Sequence, residues 1–171
     1  MGGTTLLTMA AMVLLSVFIL SSNSLIQTNS AFMSEGEYII TAISAGQMLI
    51  DEAKTKAFDE NTLSAPVGTV KELTSSLGKE KDEVIDGFDI FKKKTFKSTI
   101  QFDDFDDYNG YKRIVSTFRS DDYSVSALVQ YVDPLNPDKS AVGKSFCKKI
   151  TVIVTNPYLT VPVKLEYAMI Q

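Results

Sequence analysis

The chain has 171 residues, a formal net charge of -4, no His and a single Cys. A pI near 4.9 leaves no basic surface with which to neutralise phosphates, so nucleic acid is excluded as a partner. Without His, the usual general base, the Ser/His/Asp and Cys/His nucleophile systems and the commonest zinc ligand are all missing, and the chain reads as a non-enzyme.

No Lys, Arg, Asp or Glu occurs before Glu35. Residues 4–20, TTLLTMAAMVLLSVFIL, would reach roughly 26 Å as a helix, and the stretch to Ile26 roughly 35 Å, enough for a bilayer core. A cleaved secretory signal would want a basic start, which Met-Gly-Gly lacks. N-myristoylation would want Ser or Thr where Leu6 stands. A helix buried in a soluble core would need cover on all sides, more than a domain this small supplies. Residues 1–26 are therefore predicted to be the membrane half of a helix.

Residues 27–58 continue it as an amphipathic half. Tyr38, Ile39, Ala42, Ile43, Gly46, Leu49, Ile50, Ala53 and Ala57 recur at the three-and-four spacing of one helix face. Residues 21–34 hold neither Gly nor Pro, so the spacing predicts one helix from about Thr4 to Ala57, roughly 80 Å by its rise. Gly46 costs about 1 kcal/mol relative to Ala in a helix interior; close packing and a tolerated small residue both account for it.

Residues 59–93 form a connecting region, opened by Asp59, Asn61, Pro66 and Gly68, with a short helix predicted over 70–77 and a charged link in GKEKDEVIDGFD. Residues 94–171 change to a period of two. Phe96, Ile100 and Phe102 alternate with polar residues; further strands are predicted over 113–119, 124–132, 149–155, with Ile150, Val152 and Val154 on one face, and 161–169. DPLNPDKSAVGK and NPYLT read as turns. The fold class is α+β, a long N-terminal helix packed on an antiparallel sheet of four or five strands, whose exposed face the stripe at 38–57 would cover. Cys147 reads as a small buried apolar residue, and Tyr108, Tyr111, Tyr123 and Tyr158 as packing on the sheet, with an adhesive surface as the alternative.

Asp103, Asp104, Asp106 and Asp107 place four carboxylates beside Asn109 and Gly110. Like charges so close repel unless a cation relieves them, which makes calcium the candidate ligand. The EF-hand register fails, since anchored on Gly110 it would begin at Phe105. The competing reading is a solvated acidic loop paired with Lys92 to Lys94. No catalytic or cofactor-binding residue is identified.

A long helix, apolar first and amphipathic second, followed by an irregular link and an antiparallel meander, resembles the type IV pilin and type II secretion pseudopilin family. DDFDDYNGYKR at 103–113 is similar to an acidic segment of many pilin-like minor subunits, and KKITVIVTNPYLTVPVKLEYAMI at 148–170 to their closing hairpin. The resemblance implies a pilin-like fold and a structural subunit of a pilus or pseudopilus filament. Such a subunit is held in membrane lipid before assembly and then forms a homo- or hetero-oligomer with pilin-like subunits. It would lie in the inner membrane as a single-pass protein with an extracytoplasmic domain, or in a cell-surface filament. Leader processing would fall after Gly3, and assembly would run through Leu6, Leu7, Leu14, Leu15, Phe18 and Leu20. The chain departs from the family pattern in placing Thr4 after Gly3, and Thr8 where the family carries Glu. The rival reading is a single-pass anchored extracytoplasmic domain that binds a ligand or partner as a monomer.

Overall fold

A computed structural model of the chain describes residues 2–80, 83, 86–89, 94–117 and 123–171. It opens with α1 (Gly2–Ala53). Two compact units follow from its contacts, Met1–Tyr38 and Ile39–Gln171, with their boundary inside α1.

In the first unit the large apolar side chains, from Leu6 through Leu14 and Phe18 to Met33, are exposed. By length and composition α1 is able to cross a membrane. Four of its hydroxyls find partners within the helix: Thr5, Thr8, Ser16 and Thr28 donate to the carbonyls of Gly2, Thr5, Met12 and Ser24 at 2.8–2.9 Å. Such back-bonding lets a Ser or Thr side chain sit in surroundings that offer polar groups nothing in return.

In the second unit the rest of α1 buries Ala42, Ala45, Gly46, Leu49, Ile50 and Ala53 along one stripe. Small residues dominate it, and Ile39 and Ile43, predicted to belong to it, remain 38% and 41% exposed. The helix stops at Ala53, short of the predicted Ala57. Lys54 N–H still bonds the Ile50 carbonyl, whereas Thr55 and Lys56 turn to the nearer carbonyls of Glu52 and Ala53; this tightening is how helix ends satisfy their last acceptors.

Seven strands are described: β1 (Asp86–Asp89), β2 (Lys94–Lys97), β3 (Lys112–Val115), β4 (Tyr123–Asp133), β5 (Asn136–Ser140), β6 (Cys147–Thr155) and β7 (Val163–Ile170). β1 and β2 pair with each other, and the remaining five make an antiparallel sheet in the order β3-β4-β6-β7, with β5 against β4. Tyr123, Val125, Ala127 and Val129 of β4 and Ile150, Val152 and Val154 of β6 are buried. A Cβ at Gly46 would stand 2.7 Å from Leu165 Cδ1 and 3.2 Å from Val154 Cγ2. The glycine thus lets α1 approach β6 and β7 closely, so its packing partner is the sheet.

The fold is α+β, a long N-terminal helix packed on an antiparallel sheet, with local differences from expectation. The strand predicted across Phe96 to Phe102 ends at Lys97. Phe102 N–H bonds the Thr99 carbonyl in a turn, which leaves Ile100 exposed and Phe102 buried. Only Val70–Glu72 of the helix predicted over 70–77 forms, as one 3-10 turn whose Glu72 carboxylate accepts from the N–H groups of Gly68 and Thr69. The strand predicted over 113–119 ends at Val115, and its positions 118 and 119 lie outside the described residues. β1 and β5 lie in segments read as links. The β4–β5 reversal is held by Asp133, whose side chain accepts from Leu135 N–H.

Candidate functional site

Just before β3, the acidic segment is docked rather than solvated. Ala57 N–H bonds the Asp103 carbonyl at 3.0 Å and Phe105 N–H the Ala57 carbonyl at 2.9 Å. Phe102 packs edge-on against Tyr108 and Tyr111, with ring centroids 5.1 and 5.6 Å apart. Tyr108 donates from its hydroxyl to Glu52 of α1 at 3.0 Å. Gly110, at φ 74°, takes the left-handed turn that returns its N–H to the Ala127 carbonyl of β4. Asp103 stays exposed while Asp104, Asp106 and Asp107 are buried. The solvated-loop reading is thereby corrected: aromatic packing drags the backbone inward and the carboxylates with it. Its proposed partners Lys92 and Lys93 lie outside the described residues, as does the side chain of Lys94.

The buried carboxylates do different work. Asp104 Oδ1 accepts from the N–H groups of Asp106 and Asp107 at 2.8 and 3.1 Å, satisfying the start of a 3-10 turn. Asp106 pairs with the Lys148 ammonium. That ammonium also meets Asp59 Oδ2 and the Phe58 carbonyl, each at 2.8 Å. Asp59 in turn accepts from Asn61 and Thr74 N–H groups, and Tyr131 of β4 places its hydroxyl 2.8 Å from the Thr74 carbonyl and 3.1 Å from Asp59. The result is a buried polar knot joining the segment after α1, the acidic turn and two strands. Burial pushes Asp106 up, opposed by Lys148; burial also favours the neutral form of Asp59, but Lys148 and the Thr74 and Asn61 amides outweigh it and hold its carboxyl below the ordinary range.

Asp107 is turned away from the knot. Its Oδ2 accepts from the N–H groups of Asp103 and Asp104 at 3.0 and 3.2 Å, while Oδ1 is buried with no hydrogen-bond partner among the described residues. Carboxylate oxygens of Asp107, Glu80 and Glu83 lie within 4.8 Å of one another. Glu83 is buried, and its Oε2 accepts from Glu80 N–H at 2.7 Å. Burial, together with Asp104 and then Glu83, pushes Asp107 up to about 7. Burial and the neighbouring Glu83 push Glu80 up to about 8. The four aspartates singled out by sequence therefore do not converge on one point; one of them converges with two glutamates from the connecting region. Glu80 and Glu83 carry no motif, and only the fold brings them to Asp107.

The residues predicted for assembly all lie on the first unit. Leu6, Leu7, Leu14, Leu15, Phe18 and Leu20 are 59–74% exposed on the first unit. Gly3 lies in the first turn of α1, with open space around it. Thr8 bonds back to its own helix, so it asks nothing of a neighbour. No family model, curated protein or solved structure matches the chain.

Proposed function

We propose that the chain is a non-catalytic, membrane-anchored, pilin-like subunit that assembles into a pilus or pseudopilus-like filament through the apolar half of α1. The observation that carries this reading is the exposure of every large apolar side chain from Leu6 to Met33 on a helix where Thr5, Thr8, Ser16 and Thr28 bond back to their own backbone. Such a surface is stable only in lipid or against other helices. Helical structure also runs without interruption through 26–35, where a simple tether would carry a linker. Assembly then exchanges lipid contacts for helix contacts, with Ala10, Ala11 and Ser16 allowing close approach. The sheet domain would form the outer surface of the filament.

The test is Leu14→Asp in the host cell, with filaments sought by electron microscopy and the protein by membrane fractionation. A charge at the centre of the apolar stretch costs about 3 kcal/mol in lipid and more in a packed bundle. Filaments are expected to vanish; filaments of unchanged number and length would overturn the reading.

A further inference from the structure

We propose that Glu80, Glu83 and Asp107 form a binding site for a calcium ion. Three carboxylates whose oxygens lie within 4.8 Å of one another match the span of a calcium coordination shell, about twice a 2.4 Å bond. Mutual proximity of acids is common on surfaces, but here Glu83 and Asp107 are buried, and Asp107 Oδ1 has no hydrogen-bond donor among the described residues. A buried carboxylate oxygen without a partner carries an uncompensated desolvation cost, which a cation bound there removes. Asp107 is also pre-positioned, because its other oxygen is fixed by the N–H groups of Asp103 and Asp104. Glu83 is fixed in the same way by the Glu80 N–H.

The donor set selects the metal. All three ligands are hard oxygens; the chain has no His, and its one Cys147 is buried on β6, so zinc and copper have no preferred ligand here. Magnesium demands a near-ideal octahedron at 2.0–2.1 Å and sheds its waters reluctantly, so an all-protein carboxylate set suits it less well. Calcium accepts irregular shells of six to eight oxygens completed by water. The neighbouring aspartates are already committed, Asp106 to Lys148 and Asp104 to backbone N–H groups.

The experiment is calorimetric titration of the full chain in detergent micelles with calcium chloride, after chelator treatment, together with thermal unfolding. One calcium per chain is expected, with unfolding raised by about 5 °C or more when free calcium exceeds the dissociation constant about a hundredfold. Asp107→Asn keeps an acceptor for the Asp103 and Asp104 N–H groups but removes the charge, and should weaken binding roughly tenfold or more. Glu80→Gln, which leaves that backbone turn untouched, should weaken it similarly and covers the case in which the Asp107 variant fails to fold. Asp138→Asn on β5 removes an acid elsewhere and should leave affinity within about twofold. Absence of both heat and thermal shift in the wild type would overturn the site, as would binding by folded Glu80→Gln or Asp107→Asn as tight as by the wild type.

Discussion

Lys148 of β6 holds Asp59, in the segment after α1, at 2.8 Å with both side chains wholly buried. An isolated ammonium would be intolerable there. It is accommodated because Asp59, Asp106 and the Phe58 carbonyl surround it. Lys148→Met keeps the volume but strands two carboxylates, and should lower unfolding stability by about 3–5 kcal/mol. Adding Asp59→Asn and Asp106→Asn to Lys148→Met removes the stranded charges and should recover much of that loss. Urea unfolding of the two variants checks this; a Lys148→Met protein as stable as the wild type would show the knot to be incidental.

Within the same knot, acid should weaken the part that Asp59 plays. Asp59 has its carboxyl held below the ordinary range, against the effect of burial, by Lys148 and two backbone amides. A folded value below the unfolded one, about 3.9, means that its contribution is present above about pH 4 and fades as pH falls through the folded value. The stability gap between wild type and Asp59→Asn should therefore be wide at pH 6 and narrow at pH 2.5, measured by urea unfolding at each pH. A gap that widens on acidification would contradict this assignment.

Lys148 also shows what the sequence could and could not reveal. Period two placed Ile150, Val152 and Val154 on the inner face of β6, and Lys148 is in phase with them but one residue ahead of the predicted strand, so its burial was missed; its partners Asp59 and Asp106 lie far away in sequence. α1, β4, β6 and β7 could be read because each is a long run whose side chains obey one period. β1 and β5 were missed because they are four and five residues long and rich in Asp, Gly, Asn and Pro, which propensity assigns to turns. Phe96, Ile100 and Phe102 kept the strand period by coincidence, across a turn that Ser98 and Thr99 support by local hydrogen bonds. For the carboxylates, adjacency in sequence was misleading: Asp104 serves backbone N–H groups and Asp106 serves Lys148, while Asp107 meets Glu80 and Glu83 only through the fold.

Gly46 sits where α1 comes closest to β6 and β7, and an added Cβ meets Leu165 Cδ1 at 2.7 Å and Val154 Cγ2 at 3.2 Å. Alanine gains about 1 kcal/mol of helix propensity, and its nearest contact is the far end of the flexible Leu165 side chain, so Gly46→Ala should change stability little. Gly46→Val adds two branches against β-branched Val154, which has no free rotamer to yield, and should cost about 2–3 kcal/mol. Chemical unfolding of the pair separates the two effects. Equal stability of both variants would mean that the helix and sheet are not in tight contact at this point.

Cys147, at the start of β6, is the chain's one thiol; it is fully buried, and its value is raised by burial and by nearby Asp133. Thiolate is the reactive species, so both burial and the raised value protect it. In native conditions a small thiol reagent should label it at least about a thousandfold more slowly than a free thiol, because reaction must wait for rare opening of the sheet. The rate should rise with urea in step with loss of the near-ultraviolet dichroism of the buried tyrosines. Rapid labelling of the folded chain would place Cys147 at an accessible edge and would contradict the pairing of Cys147 with Ile170 that closes the β6–β7 ladder.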